Sequence, residues 1–234
     1  MKAVIIAAGL GTRMGRLTES LPKPMLQVGG KTLIEHKLDA LPEGVDEVIL
    51  IVGYLQNIIK KYFGTYYKGK KISYIEQSKL AGTGSALWLA EPMLRERFIV
   101  MMGDDIYSSV DINQALKHEW AIVVKKSENI VSGGRVIFDQ RGNLKDIVEG
   151  VHEEKSGFLN TGLYSMTPDI FKYKLVKLQG REEWGLPQTL LTAAPDVPIK
   201  VLLSDFWIQI TDPKDLENAE KTLSQNMLDL SKAL

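Results

Sequence analysis

Apolar blocks long enough for one strand recur through the first half of the chain. They span residues 3–8, 48–52, 72–76, 98–102 and 121–124. A strand with an almost continuous apolar run is buried on both faces, as in a parallel sheet that is covered by helices. Helical patterns separate these blocks, at residues 32–41, 55–63, 84–94 and 112–119. The alternation predicts an α/β fold, Rossmann-like and doubly wound.

The loops that follow these strands should lie together. Right-handed crossovers bring the carboxyl ends of parallel strands to one edge of a sheet, and open α/β sheets bind ligands at that edge. We therefore expect the chemistry in the segments after Ala8, Glu76 and Met102.

Beyond about residue 125 the pattern changes to short strands separated by glycine, asparagine and charged turns. Segments 133–138, 146–149 and 159–166 are typical of antiparallel strands added to the sheet. Helices are predicted at 168–176, 187–194 and 213–232, and strands at 199–203 and 206–210. No repeat or linker separates the two parts, so residues 1–234 are predicted to form one domain with a mainly parallel, mixed sheet and an antiparallel lobe.

Composition excludes several classes of function. Lys and Arg total 29, as do Asp and Glu, so the formal net charge is zero and a nucleic acid partner is not expected. The chain has no cysteine, so a metal would have to bind carboxylates, imidazoles or carbonyls, and the three histidines show no ligand spacing. No apolar stretch approaches the roughly 18 residues of a membrane span. The apolar start is interpreted as a buried strand rather than a signal peptide, which favours a cytoplasmic protein.

A glycine-rich loop follows the first strand, in the order Gly9-Leu10-Gly11-Thr12-Arg13-Met14-Gly15. Its glycines allow backbone N–H groups to approach a phosphate closely. The loop lacks the Gly-Lys-Ser/Thr of a Walker A motif, and Met14 stands where a dinucleotide fingerprint needs glycine. Arg13 and Lys23, the latter between two prolines, remain as a candidate clamp for a triphosphate.

Two spaced motifs carry a resemblance to a known family: residues 7–14, and Leu17-Thr18 followed by Pro22-Lys23-Pro24-Met25. The chain resembles the sugar-1-phosphate nucleotidylyltransferases, which join a nucleoside triphosphate to a sugar 1-phosphate and release pyrophosphate. The resemblance implies that Arg13, Lys23 and Asp104 are catalytic. It also implies a nucleotide-binding part over about residues 1–125 and a sugar-binding lobe with the C-terminal helix over about 126–234. The implied nucleotide contacts are Ala8, Gly9, Gly11, Thr12, Gln77, Gly82 and Thr83.

The segment that follows the third strand bears on the choice of base. Gln77 precedes a Gly82-Thr83-Gly84 turn that opens a helix, and a side-chain amide offers both a donor and an acceptor to a base edge. The spacing resembles the pyrimidine-reading loop of uridylyl- and thymidylyltransferases, so UTP or dTTP is favoured.

A pair of carboxylates follows the fourth strand. Asp104 and Asp105 are expected on the rim of the sheet opposite the glycine loop, where hard oxygen ligands suit Mg²⁺. The resemblance selects Asp104 as the metal ligand. On the sugar side it implies contacts from Gly134, Glu149, Asn160 and Thr161.

Two positions depart from many relatives. Gly150 stands where a lysine for the sugar phosphate is expected, and Lys155 is one candidate replacement. Gln209 stands where a second metal carboxylate is expected; its carbonyl oxygen offers a neutral ligand, and Asp212 is an alternative.

The resemblance implies an enzyme of nucleotide-sugar biosynthesis that acts on a nucleoside triphosphate and, as a first expectation, glucose 1-phosphate. Alternatives left open are a CTP- or GTP-dependent relative acting on another sugar or inositol phosphate, and a non-catalytic nucleotide-sugar sensor. A homo-oligomer is also left open.

Overall fold

The computed structural model describes residues 1–130, 132–152 and 156–232. The strands of the first half are β1 (Lys2–Ala7), β2 (Gln27–Val28), β3 (Lys31–Thr32), β4 (Glu47–Val52), β5 (Tyr66–Tyr67), β6 (Lys70–Glu76), β7 (Phe98–Met102) and β8 (Ile106–Tyr107). Those of the second half are β9 (Ala121–Ser127), β10 (Arg135–Phe138), β11 (Leu144–Val148), β12 (Gly157–Met166), β13 (Val176–Lys177), β14 (Trp184–Gly185), β15 (Lys200–Leu203) and β16 (Trp207–Ile208). The α-helices are α1 (Leu33–Ala40), α2 (Gln56–Phe63), α3 (Gly82–Leu89), α4 (Ser109–Ala115), α5 (Leu186–Ala193) and α6 (Pro213–Lys232).

One mixed sheet, the main sheet, contains strands from both halves of the chain. Its order is β11-β10-β12-β7-β1-β4-β6-β5, and β9 pairs with both β12 and β15. Strands β7, β1, β4 and β6 are mutually parallel, whereas β12 pairs antiparallel with β7, β9 and β10. The second half thus extends the same sheet by antiparallel pairing, as the sequence predicts.

Helices pack on both faces of the main sheet, against the apolar side chains of its strands. Along β1, Val4 belongs to a cluster that includes Leu87 of α3 and Leu190 of α5. Its neighbour Ile5 points to the opposite face, in a cluster with residues of α1, α2 and α4. Helices on both faces confirm the predicted fold class. Within the described residues, no helix combines the length and the apolar character that crossing a bilayer requires.

A capping box determines where α1 begins. Thr32 accepts a hydrogen bond from the Glu35 backbone N–H at 3.1 Å, and the Glu35 carboxylate accepts one from the Thr32 N–H at 2.7 Å. Two N–H groups that the helix leaves unpaired are thereby satisfied, an arrangement that contributes about 1 kcal/mol. The same helix presents Leu33, Ile34 and Leu38 to the protein interior.

Several predicted elements differ from the observed ones. The predicted helix at 168–176 is a 3₁₀ helix over Pro168–Lys172, and Val176 then enters the strand pair β13–β14. The helix predicted at 84–94 ends at Leu89, and a separate 3₁₀ turn with Pro92 follows because proline cannot continue the hydrogen-bond ladder. Residues 121–124 form a buried strand, but β12 separates it from β7, so the parallel order does not continue there.

Candidate active site

The strand order of the main sheet brings two loops together. In chain order, the parallel strands β6, β4, β1 and β7 are the third, second, first and fourth, so the winding reverses between β1 and β7. The crevice outside the carboxyl ends of two such strands is where α/β sheets bind ligands. The Gly103 N–H donates to the Ile6 carbonyl at 2.8 Å, which places the Asp104 segment directly beside the start of the glycine loop.

The glycine loop is only partly irregular. Ala8 is buried, Gly9 is exposed, and a 3₁₀ helix over Thr12–Thr18 is interrupted at Gly15. Gly11 has φ of 67°, and a Cβ there would lie 2.9 Å from the Cβ of Lys23. Glycine at this position therefore allows both the left-handed turn and the close packing of the loop on the lysine segment. Thr12 and Arg13 are exposed on this loop.

Lys23 is a buried lysine whose ammonium group reaches the crevice. Only 6% of the residue is exposed. Its Nζ donates to Asp104 Oδ2 at 2.7 Å and also to the carbonyl oxygen of Ile210. The flanking Pro22 and Pro24 restrict the backbone that carries it. The structure thus brings together two predicted catalytic residues, Lys23 and Asp104.

Asp104 and Asp105 have opposite environments although they are adjacent. The Asp104 side chain is 39% exposed, while Asp105 is buried and accepts hydrogen bonds from Trp207 Nε1 at 3.1 Å and from the Ile210 N–H at 3.3 Å. Burial and the Asp104 charge raise the pKa of Asp105, and the nearby Lys37 charge opposes them. Asp104 is therefore the carboxylate of the pair that is accessible to a ligand.

The two candidates for a second metal ligand also differ. In the antiparallel pair β8–β16, Ile208 lies opposite Ile106, and the exposed Gln209 directly follows Ile208. Asp212 accepts from the N–H groups of Lys214 and Asp215 at 2.8 and 3.1 Å, and so caps α6. Among the described residues, no group of three or more acidic or histidine side chains is arranged to hold a metal ion.

Hydrogen bonds within the protein hold the segment that is expected to contact a base. Gln77 is buried, and its Nε2 donates to the Gly82 carbonyl at 3.1 Å, closing the loop between β6 and α3. The Thr83 hydroxyl accepts from the Leu186 N–H at 3.1 Å, and the Trp184 N–H donates to the Ala81 carbonyl at 2.8 Å. Trp184 and Leu186, in the second half of the chain, therefore hold the loop between β6 and α3 in the first half.

Three of the predicted sugar-binding residues lie together. The Asn160 N–H donates to the Gly134 carbonyl at 2.8 Å, and a Cβ at Gly134 would lie 2.8 Å from Glu149 Oε1. Glu149 is exposed, and its Oε1 accepts from Gln188 Nε2 at 3.1 Å. The fourth, Thr161, is 1% exposed and donates its hydroxyl to the Val123 carbonyl at 2.9 Å. That hydroxyl joins two strands of the main sheet instead of facing the surface.

The hydrogen bonds of Asn160 and the backbone conformation of Gly150 describe the rest of the predicted sugar-binding region. The Asn160 amide donates to the Tyr164 hydroxyl at 2.7 Å and accepts from the Gly162 N–H at 3.0 Å. Gly150 has φ of 116°, a conformation that a lysine at this position would rarely adopt. Lys155 lies outside the described residues.

Sequence reasoning did not identify Lys37 or Gln188. Lys37 is fully buried on α1, and burial lowers its pKa while the charges of Asp105 and Asp104 oppose that effect. Its position one turn after Leu33, on the apolar face of the helix, was a signal, because a lysine there must find polar partners inside the protein. For Gln188 no sequence signal existed, since its partner Glu149 is 39 residues away in the chain.

Comparison with known proteins identifies the class that this fold and crevice define. The family model for nucleotidyl transferase matches residues 2–226, and the chain belongs to that family.

Individual relatives agree with the family assignment. The chain is 32% identical over 225 residues to the bifunctional protein GlmU of Methanocaldococcus jannaschii, covering 95% of this chain and 54% of the relative, so it spans about half that protein's length. It is 30% identical over 237 residues to the UTP–glucose-1-phosphate uridylyltransferase AglF of Haloferax volcanii, covering 96% and 97% of the two chains. A solved structure from Bacillus anthracis, assigned as a glucose-1-phosphate thymidylyltransferase, shares the fold, with a TM-score of 0.84, 22% identity, and coverage of 95% and 94%.

Proposed function

We propose that the protein transfers a nucleotidyl group from a nucleoside triphosphate to a sugar 1-phosphate, giving a nucleotide sugar and pyrophosphate. The observation that carries this proposal is the contact of Lys23 with Asp104 at the crevice between β1 and β7. A buried ammonium and an accessible carboxylate beside a glycine loop are the groups that a triphosphate and its metal require. Membership of the nucleotidyl transferase family supports the same reaction class.

The reaction needs charge stabilisation more than proton transfer. A phosphate oxygen of the sugar 1-phosphate forms a bond to the α-phosphorus, and the bond from that phosphorus to the α,β-bridging oxygen breaks, so pyrophosphate leaves with the electron pair. The attacking phosphate is already anionic at neutral pH, so no general base is required. Lys23 stabilises the negative charge that develops, and the exposed Arg13 binds the phosphates from the glycine loop.

The donor set fits Mg²⁺. This ion keeps several waters and is held by one or two carboxylates together with substrate phosphates, so a cluster of three acidic side chains is not required. Asp104 would supply the accessible carboxylate, and the exposed Gln209 would supply a neutral carbonyl oxygen. When bound, the ion neutralises charge on the triphosphate and the leaving pyrophosphate.

For the substrates we propose UTP or dTTP and glucose 1-phosphate. Relatives named for uridylyl and thymidylyl transfer to glucose 1-phosphate support this choice. In this assignment the loop of Gln77, Gly82 and Thr83 lies against the base, Ala8, Gly9, Gly11 and Thr12 lie along the ribose and phosphates, and Gly134, Glu149 and Asn160 hold the sugar hydroxyls.

Pyrophosphate release tests the proposal. We would assay UTP, dTTP, CTP, GTP and ATP against a panel of sugar 1-phosphates with Mg²⁺, for the native chain and for Lys23→Met and Asp104→Asn. Turnover with one pair, lowered about 10²–10³-fold in kcat by each variant, is the expected result. Lys172→Met is the matched control, because Lys172 is exposed and follows the end of β12 that lies next to the start of β7, at the edge of the sheet away from the crevice.

Other outcomes would redirect the assignment. Turnover with CTP or GTP would change the base and keep the reaction class. Absence of turnover with every pair, combined with binding of a nucleotide sugar, would replace the enzyme with a nucleotide-sugar sensor.

A further inference from the structure

Lys37 occupies an unusual place for a lysine, since none of it is exposed. Its Nζ donates to the carbonyl oxygens of Leu33 at 3.0 Å and of Gly103 at 3.1 Å, and to that of Asp105. An ammonium group has three donors, and each has a backbone carbonyl as its partner here. All three donors of Lys37 are therefore used within the fold.

Two of these carbonyls belong to the residues on either side of Asp104. Gly103 and Asp105 are separated from Lys37 by 66 and 68 positions in the chain, so the lysine attaches the turn after β7 to α1. The Lys37 ammonium also lies 5.8 Å from the centre of the Tyr107 ring in β8. The buried side chain of Lys37 therefore fixes the backbone on both sides of Asp104.

Asp105 fixes the other partner of Lys23. Its carboxylate accepts from the N–H of Ile210, and the carbonyl of Ile210 in turn accepts from Lys23 Nζ. The indole N–H of Trp207 also donates to this carboxylate at 3.1 Å. The two acceptors of the Lys23 ammonium, Asp104 Oδ2 and Ile210 O, are therefore each held in place by a buried ionisable side chain, that of Lys37 and that of Asp105 respectively.

We propose that Lys37 is a positioning residue, which touches no substrate and which sets the geometry of Lys23 and Asp104 for nucleotidyl transfer. This inference rests on the proposed function for its kinetic consequence, while its structural consequence is independent of it. Loss of the Lys37 donors frees the turn at residues 103–105, so the Asp104 carboxylate moves away from the Lys23 ammonium. Placement errors of about 1 Å lower turnover strongly without preventing substrate binding.

The chain contains a matched control for Lys37. Lys70 is also a buried lysine, and its Nζ donates to the carbonyls of Pro42 and Val45 at 3.0 and 2.8 Å. It lies at the start of β6, at the edge of the main sheet opposite the crevice. Lys37→Met and Lys70→Met therefore remove the same kind of interaction, one beneath the site and one far from it.

The experiment compares these two variants with the native chain in crystal structures and in steady-state kinetics. In Lys37→Met we expect the separation between Lys23 Nζ and Asp104 Oδ2, now 2.7 Å, to exceed 3.5 Å. We also expect kcat to fall about 10–100-fold while the KM for the nucleotide changes less than twofold. Lys70→Met should keep both the separation and kcat. Lys37→Gln restores two donors and should recover part of kcat; it also replaces the methionine variant if that does not fold.

The outcomes separate this inference from the proposed function. Equal kcat values and equal Lys23–Asp104 separations in Lys37→Met and Lys70→Met would overturn the positioning role while leaving the reaction intact. A native chain that turns over no substrate pair would overturn the proposed reaction. In that case the separation measured in Lys37→Met still decides whether Lys37 positions Asp104.

Discussion

The candidate catalytic side chains beside the parallel half of the main sheet are held differently from the candidate sugar-binding carboxylate Glu149 beside the antiparallel half. In the parallel half, Lys23 and Asp105 are buried, and each is bonded to backbone groups. In the antiparallel half, Glu149 is exposed and its described partner is the side chain of Gln188. A buried side chain bonded to backbone keeps one geometry, whereas an exposed carboxylate bonded to another side chain can adjust. The difference suits the proposed division between a reaction centre on one side and sugar binding on the other.

The largest expected effect on stability is that of a substitution at Gly82, where the first half of the chain contacts the second. Gly82 has φ of 91°, and a Cβ there would lie 2.8 Å from the backbone nitrogen of Trp184. Gly82→Ala should therefore lower the free energy of unfolding by about 2 kcal/mol or more, through a strained backbone and a clash with the β14 strand. Calorimetry should show this as a fall in Tm of about 4–8 °C.

A second alanine substitution is the control for Gly82. Gly44 has no positive φ, and a Cβ there meets no neighbouring atom, so Gly44→Ala should change stability by less than about 0.5 kcal/mol. Equal Tm values for the two variants would mean that the halves are not joined tightly at β14.

Glu149 tests whether the antiparallel half selects the sugar. Glu149→Gln removes the charge while keeping the shape, so the KM for the sugar 1-phosphate should rise about tenfold, the loss expected for one charged hydrogen bond. kcat and the KM for the nucleotide should stay within twofold. Asp146→Asn, an exposed carboxylate of β11, the strand that Glu149 directly follows, is the control in the same steady-state assay. A fall in kcat with an unchanged KM for the sugar 1-phosphate would assign Glu149 to the reaction centre and contradict the proposed difference between the two halves.

The smallest expected effect concerns His36, on α1 in the parallel half. Burial lowers the pKa of His36, as do the charges of Lys37 and Lys31, while the hydrogen bond to Val28 and the Asp39 charge oppose this. The unfolded chain therefore binds a proton more readily than the folded one. Stability should fall as the pH drops below about 6.5, by at most about 1.4 kcal/mol per pH unit, and level off below the pKa of the folded state.

Urea unfolding between pH 7.5 and 5 measures this slope. His36→Gln keeps a donor for the Val28 carbonyl and carries no titrating group, so its slope over this range should be smaller. An unchanged slope would assign the pH dependence to other groups.

Local patterns predicted the parallel half well because its strands are buried on both faces. The block at residues 3–8 became β1 over Lys2–Ala7, and the helix predicted at 55–63 is α2 over Gln56–Phe63. The helix predicted at 213–232 matches α6, which begins at Pro213. Such elements are specified by the residues within them.

The predictions that failed depend on partners distant in the chain. Val176 forms a strand because it pairs with Gly185 and because its N–H donates to the Thr189 hydroxyl at 3.0 Å. The hydrophobic periodicity of residues 168–176 gives no information about either partner. At the site, the family resemblance predicted Lys23 and Asp104 as catalytic residues, and the structure brings the two together. Lys37 was not predicted because its acceptors are backbone carbonyls, which every sequence contains.

The pairing of β7 with β12 has a consequence for how the protein is made. β7 is a fully apolar strand, and β12 covers one of its edges. During synthesis β12 follows roughly sixty residues later, a delay of several seconds at about 5–20 residues per second. For that interval the nascent chain exposes an unpaired apolar edge, the kind of surface that recruits other chains. Pairing of this edge with other chains is therefore favoured in the seconds before β12 is synthesised and covers it.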